Sequence, residues 1–280
     1  MKTFIFPDAL EVYEILQPLE TGLGGHKNSI KSWIEKSKID IISNRSHIND
    51  ESEKSKLQIF KILIADFLMR AMKGERGSPI RQALNKRINS FDDLKYENII
   101  LILKESQYRW GTERGAATIL QVLKIIEEKY NWDWNKYFHL VDCNGFNNFI
   151  KDPFLNVSNI AFKVRDLALS NFSDQYAAFD LHVVRITFRL GLNVYGFDFF
   201  PNNQIEIGSN PSNTKQYLFL HKLFMKFYEN SNYKITPLDM DRTLWHFGRT
   251  ICKIEPLCHL CPLNNICPSF KPKLSHELTK

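Results

Sequence analysis

Cys252, Cys258, Cys261 and Cys267 form a C-x5-C-x2-C-x5-C run, the densest concentration of reactive side chains in the 280-residue chain. Thiolates this close in sequence converge on one centre once the segment turns back on itself. Their softness selects a [4Fe–4S] cluster or zinc over hard cations, and spacing alone does not choose between the two. Disulfides are the weaker reading. A chain of this length builds a core without staples, and its start, Met-Lys-Thr-Phe-Ile-Phe, runs into Pro7 and Asp8 before a signal-peptide core forms. The fifth cysteine, Cys143, stands in Asp-Cys-Asn-Gly and is expected to take no part.

A second set surrounds Asp180. Its carboxylate suits a helix N-cap, accepting orphan backbone N–H groups and complementing the helix dipole. Behind it His182, Arg185 and Arg189 fall on one helical face, Leu181, Val184 and Phe188 on another, and Gly191 supplies a left-handed stop. Alone, this is a capped helix with a solvated basic face. Upstream, residues 157–161 read as a tight turn entering an amphipathic helix that carries Lys163 near its start. Alone, Lys163 is a surface lysine.

The elements that must position these groups are helical. Apolar residues recur at three- and four-residue spacing over 9–38 and 55–73, as in Leu57, Phe60, Ile64 and Phe67. A polar loop is expected over 42–55, and a turn near Gly74, Gly77 and Pro79. Residues 98–103 fit a buried helix and 116–130 an amphipathic one, with further helices over 160–172, 181–190, 213–229 and 237–250. Residues 193–207 break the pattern. Gly22, Gly24, Gly25 and Lys27 lack the Gly-Lys-Ser/Thr of a phosphate loop and read as a plain turn. With 44% apolar and 24% charged residues the composition is that of an ordinary globular chain, and no apolar run reaches the roughly 18 residues of a membrane helix. The expected setting is a reducing cytoplasm, nucleoid-associated in a prokaryote. A net charge of +6 is compatible with a polyanionic partner.

The order of these features resembles the helix-hairpin-helix DNA glycosylase superfamily, its endonuclease III branch in particular. There a hairpin of the type Leu-Pro-Gly-Val-Gly-x-Lys precedes Val-Asp-x-His-Val-x-Arg, and a segment like His-Gly-Arg-x-x-Cys opens a four-cysteine loop. Here Lys163 falls on the hairpin lysine, Asp180 on the aspartate and His182 on the histidine after it. The run from Trp245 to Cys252 matches the approach to the loop, and 102–107 looks like the family's buried helix ending in Ser-x-Gln. The likeness spans about residue 90 to about 270.

It implies an all-α fold of two helical subdomains with a cleft between them, plus an iron–sulfur loop. The boundaries implied are a core over 90–250, the four-cysteine loop over 251–270 and a basic tail over 271–280; residues 1–89 exceed what that core requires and are expected to form an N-terminal helical extension. It also implies a base-excision glycosylase with AP lyase activity, acting as a monomer on double-stranded DNA that holds a damaged base. Lys163 would be the nucleophile and Asp180 its partner, both facing the cleft. Gln107 would fill the gap left by a flipped base, with Asn159, Ala161, His182 and Arg185 on DNA. The four cysteines would hold [4Fe–4S], zinc being the alternative.

The chain departs from the pattern where Ser158, Asn159 and Ala161 replace the hairpin proline and glycines. An alanine held left-handed there would cost about 1 kcal/mol. The first cysteine gap is one residue shorter than usual in endonuclease III. Other readings are a DNA-binding protein without catalysis, a monofunctional glycosylase and a zinc-stabilised helical regulator.

Overall fold

The computed structural model of the chain describes residues 8–21, 29–68, 77–142, 151–194 and 214–270. Cys143, the turn at Gly22–Lys27, the basic residues 70–76, most of the 193–207 break and the tail from 271 lie outside them. Eleven α-helices and no β-strand occur among the described residues, so the architecture is all-α. In chain order they are α1 (Ala9–Leu16), α2 (Ile30–Ser46), α3 (Glu53–Phe67), α4 (Gly77–Arg87), α5 (Tyr96–Glu105), α6 (Thr112–Ile125), α7 (Trp134–Asp142), α8 (Phe162–Leu169), α9 (Leu181–Arg189), α10 (Thr214–Asn230) and α11 (Pro237–Thr250). No described helix is long and apolar enough to cross a membrane.

The chain divides into two compact units, Met1–Lys38 with Phe179–Lys280, and Ile39–Ala178. Residues 1–89 contribute to both units.

The contiguous unit is built around α3, whose Leu57, Phe60, Leu63, Ile64 and Phe67 are buried and which packs on α8. Rings fill the space between elements: Phe67 meets Phe154 at 5.3 Å, Tyr137 meets Phe154 at 4.7 Å, and Phe138 meets Phe172 at 4.8 Å between centroids. Helix α5 buries Ile99, Ile102 and Leu103 but leaves Leu101 43% exposed. The expected buried helix is thus buried along one face of its apolar run, with Leu101 at the surface. The α6 helix continues into a single π turn at Ile126–Tyr130, matching the expected 116–130 element.

In the other unit α11 is central, packing on α1, α9 and α10. Its start is secured by a capping box: the Thr236 hydroxyl accepts from the Asp239 N–H, and the Asp239 carboxylate accepts from the Thr236 N–H. Asp239 also pairs with Lys38 at 2.8 Å. Across one face Trp33 of α2 meets Trp245 at 5.8 Å, and the Arg249 guanidinium lies 4.5 Å from the Trp245 ring. Helix α2 runs to Ser46, through the first five residues of the expected polar loop.

Candidate active site

A short 3-10 turn, Pro153–Asn156, leads into the hairpin at 157–161. Asp152 caps that turn, one carboxylate oxygen accepting from Phe154 N at 2.9 Å. The chain then reverses through Asn159, whose φ of 73° is left-handed. Asparagine tolerates this conformation better than other non-glycine residues, which is how the hairpin forms without its glycine. Ala161, by contrast, has φ −113° and ψ 171° as N-cap of α8. The cost expected for a left-handed alanine does not arise, because only one position of the turn needs positive φ.

Two α6 side chains that the sequence did not single out hold the turn. The Thr118 hydroxyl donates to the Ser158 carbonyl at 3.1 Å and accepts from the Asn159 amide at 3.0 Å. The Gln121 carbonyl oxygen accepts from Ser158 N at 3.0 Å. Lys163 follows as the second residue of α8, half-buried in the first turn. Val164 and Ala168 face the core, as do two charged neighbours, Arg165 and Asp166.

Asp180 is the N-cap of α9, as the sequence indicates, with φ −99° and ψ 176°. Its Oδ1 accepts from His182 N at 2.8 Å and Val183 N at 3.1 Å, and the residue is 6% exposed. One carboxylate oxygen is thus fixed by the helix start. Lys163 lies in the contiguous unit and Asp180 in the other.

His182 and Arg185, expected to contact DNA, make contacts inside their own unit. Arg185 Nη2 donates to the Gly248 carbonyl at 2.9 Å and lies 3.0 Å from His182 Nδ1, while its Nε donates to the Cys252 carbonyl at 3.3 Å. Burial holds the His182 imidazole below its ordinary pKa and the adjoining Arg185 adds to this, against the opposing pull of Asp180. His182 Nδ1 is also 3.3 Å from the Gly248 carbonyl: unprotonated it accepts the Arg185 N–H, and protonated it donates to that carbonyl. At Gly248 α11 passes close to α9: a Cβ there would lie 2.7 Å from Ile186 Cδ1 and 2.9 Å from His182 Cβ.

Gln107 stands just past the end of α5, exposed, with φ 50°. Gln107 N donates to the Lys104 carbonyl at 3.0 Å and Tyr108 N to the Leu103 carbonyl at 2.9 Å, the hydrogen bonding of a helix C-cap that glycine usually serves. Keeping a side chain there costs about 1 kcal/mol.

The four cysteines are unpaired by disulfides and half-buried. All four line one cavity of about 320 Å³, together with Arg189, Leu190 and Phe247. Among the described residues no three His, Cys, Asp or Glu side chains are arranged to hold a metal ion. The thiols surround a space. Burial pushes the Cys261 thiol up to about 11, the other three cysteines adding to it, and moves Cys267 in the same direction. Four soft donors around a cavity suit a multinuclear cationic centre, which would favour their thiolate form. Arg189 braces the segment at both ends. Its guanidinium lies 3.5 Å from Cys252 Sγ and binds the Lys253 and Ile254 carbonyls, the latter at 2.8 Å, while its own carbonyl accepts from the Ser269 hydroxyl at 2.7 Å.

No protein-family model matches the sequence, and no curated protein matches it. Solved structures share its fold, among them two from one archaeon. A Methanocaldococcus jannaschii 8-oxoguanine glycosylase/lyase in complex with DNA containing 8-oxoguanine superposes with a TM-score of 0.52 at 17% identity, over 85% of this chain and 97% of that one. An M. jannaschii 8-oxoguanine DNA glycosylase superposes with the same score and identity, over 86% of this chain and 94% of that one.

Proposed function

We propose that this chain is a DNA base-excision glycosylase with AP lyase activity, and that Lys163 is its nucleophile. The observation that carries the reading is Lys163 itself, set in the first turn of a helix that leaves a left-handed hairpin, within the fold of glycosylase/lyase enzymes. The target nucleotide leaves the stack, and the exposed Gln107 fills the gap. The Lys163 amine attacks the sugar C1′ as the glycosidic C–N bond breaks, and the base leaves with the bonding pair and gains a proton. Ring opening gives an imine between Lys163 and C1′. Loss of a C2′ proton then expels the 3′ phosphate. Asp180 stabilises positive charge developing on the sugar and carries protons.

The four cysteines are read as ligands of one [4Fe–4S] cluster, with zinc as the alternative, and this motif is what favours the endonuclease III branch. When bound, such a cluster supplies a cross-link between distant parts of the loop. The reaction transfers no electrons, so its role is structural. The partner is double-stranded DNA. The substrate base is 8-oxoguanine or an oxidised pyrimidine: the fold neighbours named for 8-oxoguanine favour the first, the cysteine motif the second.

Borohydride reduction during incubation with duplexes carrying each lesion tests the reading. The wild-type protein should be trapped as a covalent adduct on one of them, and Lys163→Gln should lose both trapping and strand cleavage while still binding. An adduct that persists in Lys163→Gln would assign the nucleophile to another amine. Binding without cleavage across the panel would make the chain a non-catalytic DNA-binding protein.

A further inference from the structure

Asp152, Arg165 and Asp166 are each 0% exposed, and the proposed reaction uses none of them. They straddle the hairpin: Asp152 stands before it, Arg165 and Asp166 after it on α8. Arg165 Nε is 2.8 Å from Asp166 Oδ1, and its Nη1 is 3.8 Å from Asp152 Oδ2. The Tyr137 hydroxyl donates to the same Asp152 oxygen at 3.0 Å. The guanidinium also lies 5.7 Å from the Tyr176 ring, whose hydroxyl donates to the Val141 carbonyl at 2.9 Å. Arg165 therefore ties α8 to Asp152 at the entrance of the 3-10 turn and lies against Tyr176, while Asp152 carries the bond to Tyr137 of α7.

A fully buried ion cluster is a poor source of stability. Desolvating its charges offsets most of their attraction, and well-packed apolar side chains of similar volume often serve as well. What paired charges held at short separations add is fixed geometry. At about 100° per residue, Arg165 sits about 200° around α8 from Lys163, so the cluster grips the helix on the side away from the amine. We propose that Asp152, Arg165 and Asp166 are positioning residues, fixing the first turn of α8 against the 3-10 turn and so setting the shape of the hairpin and the reach of Lys163. The effect on chemistry rests on Lys163 being the nucleophile; the effect on the hairpin does not.

The test compares wild type with the uncharged triple variant Asp152→Asn/Arg165→Met/Asp166→Leu, which keeps the cap of the 3-10 turn and leaves no buried charge unpaired. Its urea midpoint should stay near that of wild type. Amide hydrogen exchange at 158–163 should nonetheless speed up by about tenfold or more, with the rest of the unit unchanged. The rate of borohydride trapping should fall by about tenfold or more, the scale on which small misplacements of a reacting group act. Unchanged exchange over 158–163 at an unchanged midpoint would overturn the proposal. Should the triple variant not fold, Arg165→Lys, which keeps the charge and loses the planar fork, is read by the same exchange against the same criterion. Wild-type protein that forms no adduct would remove the nucleophile reading, and the exchange result would still decide the positioning role.

Discussion

At the scale of single residues, Asp180 has two tasks that one substitution separates. Its Oδ1 is committed to the His182 and Val183 amides, and charge on the carboxylate is what the proposed reaction needs. In Asp180→Asn the amide oxygen still accepts both bonds, so the helix cap should weaken by about 1 kcal/mol or less. Base release should slow by about a hundredfold or more, since the group loses its charge and proton-carrying capacity. Single-turnover excision and thermal melting, measured on the same preparation, check this. A rate loss no larger than the stability loss accounts for would leave Asp180 as a cap alone. Both Asp180 and Lys163 were legible in the sequence because local rules set their positions, a cap in one case and a helix start in the other. Asp152, Arg165 and Asp166 were not. Their burial depends on Tyr137 and Tyr176, which local sequence does not place beside them. The intramolecular engagement of Arg185 was likewise hidden, because its partners are backbone carbonyls of Gly248 and Cys252.

Among the elements, the crossing of α9 and α11 is tightly constrained. Gly248 allows it: a methyl group there would press on Ile186 Cδ1 and on His182 Cβ, both short of ordinary contact. Alanine favours helix over glycine by about 1 kcal/mol, yet the overlap should outweigh this, and Gly248→Ala should lower stability by about 1–3 kcal/mol. Urea denaturation reads the change directly, and a raised midpoint would show that the helices separate without strain. The helix pattern itself was largely legible, since α3, α6, α9, α10 and α11 follow their apolar periodicity closely. Helix α7 was missed although Trp134, Tyr137, Phe138 and Val141 recur at helical spacing and are all buried. The signal was present, carried by aromatic residues that suit strands equally well. The hairpin was legible as a turn, and its support by Thr118 and Gln121 was not, because those contacts span about forty residues of sequence.

On the scale of the whole molecule, the cysteine segment belongs to the unit made from both ends of the chain. Protein purified without oxygen should be brown, with broad visible absorbance and iron bound, and Cys258→Ser should bleach it. A colourless protein with stoichiometric zinc would replace the cluster by the zinc reading. The division into units was the least legible feature, since periodicity says which face of a helix is buried and not what buries it. That division has a consequence for biogenesis. During synthesis Ile39–Ala178 emerges as one continuous stretch that carries its own buried core, so it is able to fold early. The first 38 residues must wait: Glu20 accepts from His246 and Lys38 pairs with Asp239, partners 226 and 201 residues further on. Closing such separations carries a large entropic toll, and contacts of this kind form late. The helices of α1 and early α2 therefore leave the ribosome with apolar faces uncovered, among them Val12, Leu16, Ile30 and Ile34, and that interval is when the nascent chain is most exposed to aggregation and to chaperones.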